Sequence, residues 1–481
     1  MAGEVLRMKL FTKFELWCFV STLVLKIRHY AKPQNVGGNT KTTEQNKMKK
    51  TLISTIIVIF LGNSVFGQDP KVRIVTSDID NFWIAYDAIL KTSDSLERIQ
   101  LINELYINKA TDGLKGMIWA RDYEDYEFVD AILKYPKYWN SIRPNTSNLT
   151  RDKEQIEQYF AKFREVYPDL KPTIIYFPIG VFRSAGTYQG NNVLLGAEFL
   201  LGQIHSDLSE LPERVRNGMI EYMPYDIPLI SLHELIHTQQ KRWEHLSIVQ
   251  RSVAEGVAEF ISTLISEKPI SPPVKFGKLN EKRVLERFMI EIFRDEDIGN
   301  WLSSKNQNEL EVNDLGYYIG YEICERYYNK ATDKKQAIKE LIELDYSSDS
   351  EFAHILDGSG FLPMTWDEIR IKYESMRPTI KRIVEFKNGS KKVSSKTKII
   401  TVEFSEHMSS CCRSFDSDES KTGEILKIKK IIGWSADNRK FSFEVDELKS
   451  NTNYHIIISN FAKEDGGNRL APYSIEFQTR K

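Results

Sequence analysis

Cysteine is nearly absent from this chain, with four in 481 residues. Cys18 lies in an N-terminal stretch set apart below, which leaves Cys324, Cys411 and Cys412, an odd number. No C-x-x-C pair with metal-binding spacing occurs. Adjacent cysteines seldom bridge, because the geometry is unfavourable, so Cys411 and Cys412 raise no expectation of a disulfide framework. Any bound zinc must then be held by His and carboxylate. An excess of charge is missing too. The 66 Lys/Arg and 67 Asp/Glu leave a formal −1, which gives no electrostatic footprint for nucleic acid. The apolar run at 51–61 (TLISTIIVIFL) falls well short of the about 20 residues that span a bilayer. What is present, 41% apolar and 28% charged residues, is the composition of a soluble globular protein. The length allows two or three domains.

The start of the chain reads as processing signal, not fold. Met48-Lys49-Lys50 is a short basic region, residues 51–61 are apolar, and Ser64-Val65-Phe66-Gly67 supplies small residues before a cut at Gly67-Gln68. Residues 48–67 are therefore expected to be a signal peptide, with an exported protein behind it. No cysteine follows the apolar segment, which argues against a lipid anchor there. Residues 1–47 carry a further apolar run at 14–25. They are read as an over-extended translation start, against the competing reading of a membrane-associated extension. Without residues 1–67 the chain keeps 56 basic and 64 acidic residues, a net −8, which argues against an anionic membrane surface or a nucleic acid as partner.

From 72 to 165 the pattern predicts helices at 74–90, 95–106, 123–133 and 151–167, with apolar residues three and four apart. The aromatics of Tyr135-Pro136-Lys137-Tyr138-Trp139 read as packing. Pro172 to Pro178 encloses a β-branched and aromatic run, a strand. Residues 184–192 read as a turn-rich loop and 193–199 as a second strand. Glu198 could serve as an amine-binding carboxylate, but it reads as a charge at the surface or the sheet end.

The chemistry concentrates further on. Asp226-Ile227-Pro228 is a helix start, with a capping Asp and Pro in the first turn. On that helix, predicted to run to about Arg242, lies His233-Glu234-Leu235-Ile236-His237. Residues four apart share a helix face, so both imidazoles can reach one metal ion while Glu234 reaches a water beside it. A catalytic zinc site needs a third protein ligand. Gln240 and Trp243 occupy the positions where a metzincin has Gly and His, which excludes that class. His245 falls outside the spacing. Glu255, on a helix predicted over 247–267, can return to the histidines if the two helices pack antiparallel. Glu259 lies one turn on, placed to accept the other N–H of His233.

His233 to His237 with Glu255-Gly256-Val257-Ala258-Glu259-Phe260 resembles the gluzincin, thermolysin-like metallopeptidases, in the branch of predicted zinc-dependent proteases. The resemblance, looser over residues 170–360, implies Zn2+ held by His233, His237 and Glu255. It implies Glu259 behind His233, Glu234 as general base and a peptide or protein substrate. Gly316-Tyr317-Tyr318-Ile319-Gly320-Tyr321 is similar to that branch as well. Related enzymes take an oxyanion donor from this region, which makes Tyr317 the first choice and Tyr321 the second. The competing role for these residues is helix packing, glycines for close approach and tyrosines for core.

Helices at 334–344 and 365–376 are expected to close the domain, giving boundaries of 70–376. Beyond Pro378 the texture is β, with strands expected at 379–384, 398–404, 427–432, 440–445, 453–459 and 473–479. The phrases Ile400-Thr401-Val402-Glu403-Phe404 and Leu448-Lys449-Ser450-Asn451-Thr452-Asn453-Tyr454, with the terminal Phe477-Gln478-Thr479, resemble the bacterial Ig-like domain of S-layer-associated proteins, over 377–481. That implies a spacer or a module for a cell-surface or extracellular partner, and His407 is not assigned to a site. The expected fold class is α+β: a mostly helical zincin-like domain with a small sheet, then an Ig-like β-sandwich. The expected function is a secreted bacterial zinc metallopeptidase. The alternative is a non-catalytic surface or adhesion protein on a peptidase-like fold.

Overall fold

The computed structural model describes residues 72–241, 245–303, 309–464 and 467–481. The expected signal peptide at 48–67 and the stretch at 1–47 lie outside the described residues. Among those described, no helix is long and apolar enough to cross a membrane.

Six helices come first: α1 (Ser77–Ile89), α2 (Ser95–Leu105), α3 (Asp112–Arg121), α4 (Asp125–Lys134), α5 (Pro136–Ile142) and α6 (Leu149–Val166). Their starts follow side-chain capping. Asp94 accepts from the amides of Leu96 and Glu97 at α2, and Thr111 from that of Leu114 at α3, satisfying donors with no intrahelical partner. Phe82, Tyr106, Phe128, Tyr138 and Trp139 are fully buried together, so the aromatic run is core as expected.

The helices pack around a sheet of β1 (Arg73–Val75), β2 (Ile174–Tyr176), β3 (Gly186–Gln189) and β4 (Asn192–Leu195), in the order β1-β2-β4-β3. β2 is parallel to β1 and β4, and β3 runs antiparallel to β4 along one edge, Thr187 opposite Leu194. The sequence reading is corrected here in three places. Residues 73–75 are a strand and the first helix starts at Ser77. Residues 184–192 are not only loop, because β3 lies in them and turns at Gly190-Asn191. The strand expected over 193–199 ends at Leu195 and continues as α7 (Ala197–Leu200). Three- and four-residue strands carry too little alternation to announce themselves.

The second half of this domain is α8 (Glu213–Tyr222), α9 (Ile227–Gln239), α10 (Ile248–Ser266), α11 (Pro272–Leu279), α12 (Glu281–Glu291), α13 (Leu315–Lys330), α14 (Lys334–Ile342), α15 (Asp349–Ser359) and α16 (Trp366–Ser375). Asp226 caps α9 through the Leu229 amide, with Pro228 in the first turn. Ser247 and Gln250 form a reciprocal capping box at α10. α9 lies against β3, β4, α6 and α10, and α10 crosses α13 at a glycine pair. A Cβ on Gly256 would sit 2.0 Å from the carbonyl carbon of Gly320, and one on Gly320 only 1.7 Å from Ser252 O. Nothing larger than glycine lets these two backbones touch.

The C-terminal segment is a β-sandwich with its own core. One sheet has the order β5 (Ile380–Ile383), β6 (Ile399–Phe404), β10 (Lys440–Val445), β9 (Ile428–Trp434). The other has β12 (Tyr473–Gln478), β11 (Asn453–Ser459) and β7 (Ser414–Asp416), with β8 (Glu424–Ile425) beside β11. Ile400, Phe441, Phe443, Ile458 and Ile475 fill the space between the sheets. Every strand expected here is present, and β7 and β8 are additions. Cys411 and Cys412 are bonded to each other, against expectation. They sit between β6 and β7, where no strand pairing constrains the intervening peptide.

Glu403 on β6 pairs with Lys381 and Arg382. Their hydrogen bonds hold its carboxyl down at about 2, against an ordinary 4.5. A depressed folded value contributes stability that is present above pH 4.5 and lost as pH falls toward 2. Glu403→Gln should therefore lower the melting temperature at pH 7 and flatten the acid limb of the thermal-stability profile between about pH 4.5 and 2, read by calorimetry.

Candidate metal centre

α9 places His233 and His237 one turn apart, with their Nε2 atoms 3.2 Å from each other. α10 returns antiparallel and brings Glu255 Oε2 to 3.1 Å from His237 Nε2 and 3.6 Å from His233 Nε2. Among the described residues these three form the one group of His, Cys, Asp and Glu able to hold a metal ion. Donors about 2.05 Å from a tetrahedral zinc lie about 3.3 Å from one another, so the observed triangle has the size the ion requires.

The far nitrogens of the two rings fix which atoms face the centre. Gln240 Nε2 donates to Ala254 O at 2.9 Å, which orients its amide. Its Oε1, 2.8 Å from His237 Nδ1, then accepts the ring N–H and leaves the lone pair on Nε2. Glu259 Oε2 lies 3.5 Å from His233 Nδ1 and favours the same tautomer. Two imidazole lone pairs and a carboxylate therefore converge on one point, and that donor set calls for a cation. The surrounding carboxylates favour positive charge at this point, carried by a proton on the rings until a cation takes its place. Burial pushes His233 down, but the Glu255 and Glu259 carboxylates beside it outweigh that and carry the ring up to about 10. Burial raises the Glu255 carboxyl, yet the two histidines hold it well below the ordinary range.

Glu234 stays outside the triangle. Burial raises its carboxyl, opposed by His237, His233 and Arg121. It fits because residue 186 is glycine, where a Cβ would come within 2.9 Å of Glu234 Oε1. The Tyr317 ring stacks on His233, centroids 6.0 Å apart, and burial together with the Glu255 charge holds its hydroxyl well above the ordinary tyrosine range. Tyr321 does not share this position. Its hydroxyl bonds Glu325 at 3.2 Å and its ring lies under Lys278. His245 is exposed and apart from the cluster. Glu198 is neither at the surface nor among the ligands. It is fully buried, accepts from the amides of Gly180 and Phe182 at 2.8 and 3.3 Å, and burial lifts its carboxyl to about 7.

Two contributors went unrecognised in the sequence. In the sequence Gln240 registers only as the absence of a metzincin glycine, and its place three residues after His237 is the available signal. Tyr188, stacked on His237 at 5.7 Å, lay in the segment read as loop. Because Gln240 ties the His237 ring to the backbone just before Glu255, Gln240→Leu should weaken any zinc binding at this centre about 10- to 100-fold. Competition against a chromophoric chelator measures this.

Residues 375–479 match the family model of the bacterial Ig-like domain. No curated protein matches the chain.

Proposed function

We propose that this protein is an exported zinc metallopeptidase whose bacterial Ig-like domain serves as a spacer or attachment module at the cell surface. The observation that carries the reading is the triangle of His233 Nε2, His237 Nε2 and Glu255 Oε2, with edges of 3.1 to 3.6 Å, and Glu234 beside it. Zinc held there would supply Lewis acidity, bringing water to a pKa of about 7 and polarising a carbonyl.

The chain's own residues do the rest. Gln240 and Glu259 keep the two imidazoles turned toward the centre. Glu234 takes a proton from the water as its oxygen attacks the peptide carbonyl carbon. As the C–N bond breaks, Glu234 hands that proton to the leaving amine. The Tyr317 hydroxyl, beside Glu255, donates to the oxygen that gains charge. β3, an edge strand, offers an extended peptide a place to pair. Tyr317→Phe should lower kcat about 100-fold with zinc content unchanged, measured by steady-state kinetics.

The Ig-like domain favours a second reading, a surface or adhesion protein without catalysis. Retention of Glu234 beside a full ligand set speaks for catalysis. Incubating the purified wild type with a broad peptide library and reading products by mass spectrometry separates the two. Cleavage abolished by a zinc chelator supports the peptidase. A zinc-loaded protein that cleaves nothing leaves the surface role.

A further inference from the structure

Beside the candidate centre stands a cation that the chemistry above does not use. Arg121, in the last turn of α3, donates from Nη2 to Ser184 Oγ at 3.0 Å, and Ser184 Oγ donates in turn to Gly186 O at 2.9 Å. Gly186 is the residue against which Glu234 rests, and the Arg121 charge acts on Glu234. Among the described residues Arg121 has no carboxylate partner, and its buried Nε has no acceptor. Helix capping does not explain it. The terminal carbonyls of Arg121 and Asp122 already accept from Arg183 Nη1 at 2.8 and 2.7 Å.

Chain direction says which part of a substrate would meet this guanidinium. Gly186 and Tyr188, two apart on β3, turn one face to α9: Gly186 meets Glu234 and Tyr188 stacks on His237. A peptide pairing antiparallel with β3 has its reacting bond along 186–188. Its chain beyond that bond passes Gly186 toward Ser184 and Arg121. At about 3.3 Å per residue, Arg121 is reached within about two or three residues.

We propose, resting on the metallopeptidase reading, that Arg121 binds the terminal carboxylate of the peptide on the departing side of the cleaved bond. The enzyme would then remove short fragments from carboxyl termini. The guanidinium suits this, because a carboxylate can take two parallel N–H bonds from it.

Matched synthetic peptides that differ only in ending as the free acid or the carboxamide test this. For the zinc-loaded full chain, kcat/KM should favour the acid by at least about tenfold, with cuts within about three residues of the terminus. Arg121→Gln should erase that preference. Ser184→Ala, which removes the tie and keeps the charge, should retain it. This acid-to-amide ratio is insensitive to the amount of folded protein. Cleavage indifferent to amidation, or an unchanged preference in Arg121→Gln, overturns the proposal and leaves the peptidase reading standing. A zinc-loaded wild type that cuts neither form overturns that reading, and this inference with it.

Discussion

Glu234→Gln is expected to lower peptide hydrolysis by about 1,000-fold or more while the protein keeps its zinc and its melting behaviour. General-base catalysis by a positioned side chain is worth about 10² to 10⁴-fold, and among the described residues no other carboxylate is placed to substitute. Glu255 is committed to the two histidines at 3.1 and 3.6 Å, and Glu259 to the far side of His233. The substitution is nearly isosteric, so Gly186 still accommodates the side chain. Glutamine cannot take the proton of the attacking water, and the triangle of His233, His237 and Glu255 is unchanged. Single-turnover kinetics beside metal analysis makes the measurement. Loss of zinc in the variant would mean that Glu234 is a ligand, contrary to its position outside the triangle.

Gly320→Ala is expected to cost about 3 kcal/mol or more, or to prevent folding. The added Cβ would lie 1.7 Å from Ser252 O and 2.8 Å from Gly256 Cα. Both are backbone atoms, so no rotamer change relieves the clash and α10 must move off α13. Glu255 adjoins Gly256, and Tyr317 lies one turn before Gly320, so the same displacement separates Tyr317 from Glu255. Zinc affinity should fall along with stability. Urea denaturation measures the cost. Gly218→Ala in α8, where a Cβ meets nothing within 4 Å, is the control, expected to be neutral or stabilising by up to about 1 kcal/mol.

What the sequence disclosed follows the reach of its signals. Helical spacing is local, so His233 and His237 on one face, and Glu255 with Glu259 one turn apart, are legible without any tertiary information. The capping of α9 by Asp226 and of α10 by Ser247 is equally local. Antiparallel return of α10 was an assumption that the short connection made reasonable. Gln240 contributes through two bonds, one of them to Ala254 on another helix, and its residue type does not reveal the second. Tyr188 belongs to a strand of four residues, too short to show alternation. Glu198 looked like an exposed charge because a carboxylate sustained by the amides of Gly180 and Phe182 leaves no mark in sequence. The glycine pair was visible as residues, while its purpose, backbone contact between α10 and α13, required the fold.

The proposed peptidase chemistry requires that His233, His237 and Glu255 hold one zinc ion. Elemental mass spectrometry of the purified full chain, after dialysis against zinc buffered near a nanomolar free concentration, tests it most directly. One zinc per chain is expected in the wild type and almost none in a folded Glu255→Ala variant. A folded wild type with no stoichiometric zinc, or a Glu255→Ala variant that binds it equally well, would mean that these three residues are not a zinc site.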